Sequence, residues 1–182
     1  MVRLAAAIAA AALVSACAPG QLPAGPLGAR PENHGGVGQP ELRGVPDTIG
    51  VDVMFNGGPR PAVIDRLVLV SPRHIKLVGA YVYPAARGTF GGWPGFPPRY
   101  LRGRPGSEYR GLVWAWAHRH IPAGAVIPPH QWAGVVLGLE ATSAQGSIAS
   151  IDVFYHVGSA RYEWQGHVRV VLTRVRKLVP PG

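Results

Sequence analysis

From Ile151 to Leu172 the chain alternates apolar and polar residues around a single break at Gly158-Ser159. A side-chain period of two marks strands with one buried face. Gly158-Ser159 suits a two-residue type II′ turn, which needs glycine first. That turn pairs Val157 with Ala160, Tyr155 with Tyr162, Val153 with Trp164 and Ile151 with Gly166. One face then carries Ile151, Val153, Tyr155, Val157, Tyr162, Trp164, Val168, Val170 and Leu172. The other carries Asp152, His156, Arg161, Glu163, Gln165, His167 and Arg169. Slipping the register by one residue would drive the charged set into the core, so the pattern specifies a single pairing.

Similar strand signals run along much of the chain. Ile49, Val51, Val53 and Phe55 alternate with Gly50, Asp52 and Met54, and Asn56-Gly57-Gly58-Pro59 supplies a turn. Ala62–Val70 and Ile75–Tyr83 follow, separated by Ser71-Pro72-Arg73-His74. Arg110–His118 reads as a fourth strand, with Leu112, Trp114 and Trp116 on one face. Gln131–Ala141, Ser147–Val157 and Ala160–Val175 complete the set. About seven strands with turns between them, and no helix-length amphipathic run, predict an all-β, Ig-like antiparallel sandwich over residues 48–179. With 47% hydrophobic residues the chain has enough apolar material for a core.

The N-terminus has a different organisation. Arg3 precedes the apolar run Leu4–Val14, and Ser15-Ala16 lead into Cys17, the one cysteine of the chain. That order is the charged, apolar and small-residue sequence of an export signal, too short to span a bilayer. A cysteine directly after the small residues resembles the lipobox of bacterial lipoproteins. The resemblance implies removal of residues 1–16 and lipidation of Cys17. It further implies attachment to the cell membrane on its extracytoplasmic face. The absence of a second cysteine means that the fold forms without disulfides. Residues 18–47 are rich in Pro and Gly with no apolar period, which predicts a flexible tether over 17–47.

Residues 84–109 break the strand pattern. They are Gly/Pro-rich yet hold Phe90, Trp93, Phe96, Tyr100 and Tyr109 beside Arg87, Arg99, Arg102 and Arg104. Two readings stand: the aromatics cap one open end of the sandwich, or they form a basic recognition surface. On the second reading the contact residues are Trp93, Phe96, Arg99, Tyr100 and Arg102, and the partner is an envelope protein or wall polymer.

His118-Arg119-His120 offers a metal-binding alternative. Residues i and i+2 of a strand share a face, so both imidazoles reach one copper or zinc ion, and His130 supplies a third ligand. No methionine or carboxylate lies nearby in sequence to complete the set. Catalytic signatures are missing: Gln145-Gly146-Ser147-Ile148-Ala149 lacks the second glycine of a nucleophile elbow, and no H-E-x-x-H occurs. Asp152 and Glu163, flanked by His156 and Arg161, read as cross-strand ion pairing rather than an acid–base pair. The net charge of +9 suits anionic envelope surfaces, while export and the lack of any recognition signature argue against nucleic acid. Ile121–Trp132 resembles the lead-in to a late strand in exported bacterial sandwich domains, and Asn56-Gly57-Gly58 looks similar to their first hairpin. The expectation is a lipid-anchored, non-catalytic binding or accessory lipoprotein without a cofactor.

Overall fold

The computed structural model describes residues 22–29, 36–42, 44–101, 106 and 109–175. In chain order the strands are β1 Leu27–Ala29, β2 Gly36–Leu42, β3 Asp47–Asn56, β4 Ala62–Val70, β5 Ile75–Pro84 and β6 Gly92–Pro94. The one α-helix among the described residues, α1 Arg110–Ala117, follows. Then come β7 Val126–Ile127, β8 Trp132–Ala141, β9 Gln145–Ile148, β10 Ser150–Val157, β11 Ala160–Gln165 and β12 Arg169–Val175. One sheet runs β1-β3-β8-β5, with β6 also on β3. The opposing layer is split into β11-β10-β4-β7 and β2-β12-β9. The protein is an all-β sandwich.

The hairpin β10–β11 has the register its alternation dictates, with Val157 opposite Ala160 and Val153 opposite Trp164. Gly158 sits at φ 62°, which costs glycine nothing. Ile151, Val153, Tyr155, Val157 and Trp164 enter the central core, while Arg161 and Gln165 face solvent. Across the core lie Ile49 and Val51 of β3 and Val135, Leu137 and Leu139 of β8. A bulge between Gly50 and Asp52 breaks the alternation of β3. Met54, on the expected outer face, is fully buried, and Phe55 is only half-buried.

Four expectations are corrected. The segment 17–47 is not tether throughout, because Leu27–Ala29 pairs with β3 and Gly36–Leu42 pairs with β12. The β2–β12 ladder is parallel, in an otherwise antiparallel molecule. Composition hid these strands because tertiary bonds hold them: Leu27 N–H donates to the Tyr155 hydroxyl at 3.1 Å, and Glu41 is buried beneath β2. Secondly, the long runs at 147–157 and 160–175 are interrupted at Ala149 and at 166–168. The break at 166–168 moves the chain from the β10 sheet to the β9 sheet, so the described residues form twelve strands rather than seven.

Thirdly, Arg110–Ala117 is helical. Eight residues are too few to separate a period of two from one of 3.6. In the helix Leu112, Ala115 and Trp116 share a side at i, i+3 and i+4, and Ala115 is fully buried. Lastly, the Gly/Pro-rich segment after β5 does not cap an open end. Together with α1 it covers the outer face of β5 and β8, forming a second cluster of Tyr83, Phe90, Leu101, Ala115 and Val136. Strand β8 is therefore buried on both faces.

Candidate functional site

The edge of the sandwich between β5 and β7 opens into a pocket of about 220 Å3. Its floor is apolar and buried: Val82, Tyr83, Ala125, Ile127 and Ala133. His118, His120, Gln131 and Trp132 stand on its walls, and Val126 remains 54% exposed beside them. Ile121, 64% exposed, follows His120 in sequence. These groups come from three separate stretches of chain, and each is fixed by backbone bonds.

His120 is held at the edge of β5, where its N–H donates to Val82 O at 2.8 Å and its O accepts from Val82 N at 2.9 Å. His118 caps the C-terminus of α1. Its ring stacks on Trp114 at 4.4 Å, and Nδ1 lies 2.8 Å from Trp114 O. A carbonyl can only accept, so Nδ1 carries a proton and Nε2 is the nitrogen left for a ligand. Arg87 covers the same Trp114 ring at 4.4 Å.

The wall at 127–131 is organised by Asn56, a fully buried residue. Its Nδ2 donates to Arg60 O and Ile127 O, both at 2.9 Å, and to Pro128 O at 3.3 Å. Its Oδ1 accepts from Gly58 N. The Asn56 backbone bonds both Gln131 O and His130 N. In the sequence Asn56 reads only as a turn residue; its depth at the end of an apolar strand was the available signal.

The two histidines of the H-x-H motif thus line one pocket, but from a helix cap and a bridge rather than from one strand face. His130, at a positive φ of 57°, does not line the pocket. Among the described residues no three His, Cys, Asp or Glu side chains gather into a metal-binding group.

The aromatic segment is placed differently from a free recognition loop. Phe96 is half-buried over β5 and β8, where a Cβ at Gly138 would meet its ring at 2.4 Å. The glycine therefore makes the seat for that ring. Trp93 is half-buried in β6 opposite Thr48 and meets Tyr109 edge-on at 5.9 Å. Arg99 is exposed. The Tyr100 side chain, Arg102 and Cys17 lie outside the described residues. Trp116 is covered by Arg119 at 4.1 Å, so that guanidinium is already engaged.

Carboxylates provide the strongest electrostatic feature, and the sequence did not single them out. Glu41 and Asp47 are fully buried. Both oxygens of Glu41 accept from Ala141 N, at 3.0 and 2.9 Å, and Arg174 donates to Ala141 O. Burial raises the Glu41 pKa; the Ala141 N–H and Arg174 pull it back, and Glu140 adds a smaller upward push. Among the described residues Asp47 has no hydrogen-bond partner on either oxygen. Burial first, and Glu41 second, push it up to about 7. The expected pairing on the hairpin is also revised: His156 bonds Asp65 of β4 at 2.7 Å, while Asp152 is raised by burial and then by Glu163.

No family model matches the chain, and no curated protein matches it. Among solved structures the chain is similar to the ASH / PapD-like domain of human CEP192 (PapD-like domain 7). Identity is 8%, over 95% of this chain and 100% of that one, with a TM-score of 0.40. The sandwich assignment rests on strand pairing, not on that likeness.

Proposed function

We propose that this protein is a lipid-anchored lipoprotein on the extracytoplasmic face of the cell membrane, with a non-catalytic binding role at the envelope. The observation that carries the reading is the run Leu4–Val14, Ser15-Ala16 and Cys17. The fold adds a distance. Leu22 is five residues after Cys17, and Pro23 O already accepts from Glu163 N at 3.3 Å. At about 3.6 Å per residue, a lipid on Cys17 holds the domain within about 18 Å of the headgroups. Lipoprotein processing supplies more than one acyl chain, as stable attachment requires. Cys17→Ser should move the protein to the aqueous phase in detergent partition or leave it unprocessed. Membrane partition by processed Cys17→Ser protein refutes the anchor.

The binding role is assigned to the edge pocket. Its apolar floor and the exposed Ile121 and Val126 suit an apolar side chain of an envelope protein. Val126→Glu should abolish crosslinking to membrane partners while leaving the fold intact; undiminished crosslinking rules out the pocket.

A metal-handling reading is favoured by one observation, the Nδ1–H of His118 committed to Trp114 O. Such a bond orients an imidazole for metal ligation. His118 and His120 would hold copper or zinc, with the remaining positions open. Calorimetry of His120→Ala against the native chain tests it: equal heats in both discard the site.

A further inference from the structure

Strand β2 has little intrinsic reason to be a strand. Its sequence is Gly-Val-Gly-Gln-Pro-Glu-Leu, poor in β-formers and interrupted by a proline that cannot donate to a ladder. It lies at the edge of its sheet, and among the described strands it pairs with β12 alone. Its firmest tie is Glu41, whose carboxylate reaches across the core to the Ala141 N–H at the end of β8. The neighbouring Arg174, paired with Glu41 in the β2–β12 register, binds the carbonyl of the same residue. Ala141 is therefore clipped from both sides, and the clip joins β2 and β12 to the opposite layer.

Asp47 sits at the first position of β3, between Leu139 of β8 and Pro94 of β6. No donor among the described residues meets either oxygen. Only five residues separate it from Glu41. We propose that Glu41 and Asp47 form a latch that holds β2 while Asp47 keeps its proton and releases β2 when both carboxyls are ionised. A second buried negative charge meets no hydrogen-bond donor among the described residues, so the cheapest relief is for Glu41 to leave with its strand.

The charges around the pair agree with that direction. On β2 the neighbour is Glu41 itself, and on β12 it is Arg174, which acts on Glu41. On β8, Glu140 adds negative charge near Glu41 and is partly drawn off by Lys76 of β5 at 3.9 Å. Strand β6 contributes Pro94 and no charge. Asp47, raised to about 7, loses its proton near neutrality, while burial raises Glu41 against the Ala141 N–H and Arg174, which favour its charged form. Release bares the β12 edge, a row of backbone groups able to pair with another strand.

Hydrogen exchange of the full chain, read by peptide at pH 5.5 and pH 8 and corrected for intrinsic rates, tests the latch. Protection in 36–42 should fall roughly tenfold or more at pH 8, since each unit of differential pKa is a factor of ten. Peptides of β10 and β11 should keep theirs. Asp47→Asn, close in shape and never charged, should hold 36–42 protected at both pH values. Equal protection of native 36–42 at the two pH values overturns the proposal. So does joint loss of protection in 36–42 and the hairpin, or an unchanged pH response in Asp47→Asn.

Discussion

The β10–β11 hairpin and the β2–β3 junction each set two carboxylates against one another, with opposite results. On the hairpin Asp152 and Glu163 sit half-buried on the outer face, where water screens them. At the junction Glu41 and Asp47 are fully buried, and Asp47 has no hydrogen-bond partner among the described residues. The hairpin is stabilised by apolar burial and tolerates its charges. The junction is held by charge and hydrogen bonding, which makes it sensitive to protons. The same residue chemistry is thus decoration in one region and a structural tie in the other.

If that division is right, the largest loss should come from the hairpin's apolar face. Trp164→Ala removes a ring buried among Ile151, Val153 and Val168, and should cost about 3–5 kcal/mol in urea unfolding. A loss below about 1 kcal/mol would mean that the hairpin is not the main source of stability.

The junction should instead give the largest pH effect. Asp47 has a folded pKa raised from 3.8 to about 7. The folded state then keeps a proton that the unfolded chain releases. Stability is full below about pH 4, falls as pH rises toward 7, and is level above it. The ceiling is about 4 kcal/mol, from about 1.4 kcal/mol per unit. Thermal melts at pH 5 and pH 8 should show the drop, and Asp47→Asn should remove most of it. A domain whose stability climbs between these pH values would contradict the assignment.

Legibility divides along the same line. The hairpin register was readable because every inward residue is apolar and every alternative exposes one of them. The ends of the long strands were not, since a change of sheet at 166–168 leaves the alternation intact. β1 and β2 were hidden because their partners lie far off in sequence: Tyr155 for Leu27, Ala141 for Glu41. Helix α1 was concealed by Leu112, Trp114 and Trp116, whose spacing of two mimics a strand, while Leu112, Ala115 and Trp116 carry the helical spacing. Of the candidate site, His118 and His120 line one pocket, but from a helix cap and a bridge where the sequence suggested one strand face. His130 does not line it, and Asn56 was missed because its role is a set of side-chain bonds to the backbone carbonyls of Arg60, Ile127 and Pro128.

Asn56 is the intermediate case, a buried polar group that is fully partnered. Asn56→Ala leaves the carbonyls of Arg60 and Ile127 without their donor, at about 1–3 kcal/mol. The loss should not vary between pH 5 and pH 8, which separates it from Asp47. Exchange in 127–131 should rise with it, because the pocket wall loses its tie. A pH-dependent loss would mean that Asn56 acts through the carboxylate pair.

The smallest effect belongs to the half-buried pair on the hairpin, and it tests the comparison most directly. Asp152 is raised by burial first and by Glu163 second. Glu163→Gln removes the second cause and retains a group able to accept from Gln165 Nε2, now 3.4 Å from Glu163. The gain should be about 0.5 kcal/mol at neutral pH, the scale of a screened surface pair. The sign follows from the protons. The repulsion needs the Asp152 carboxylate, so the gain is present at neutral pH and vanishes in acid, where Asp152 is protonated. Added salt should shrink it as well, because the charges face water. Salt should leave the Asp47 effect nearly unchanged, since a fully buried carboxyl is beyond the reach of the ionic atmosphere. If salt removed both effects equally, burial would not be what distinguishes the two pairs, and the contrast between hairpin and junction would collapse.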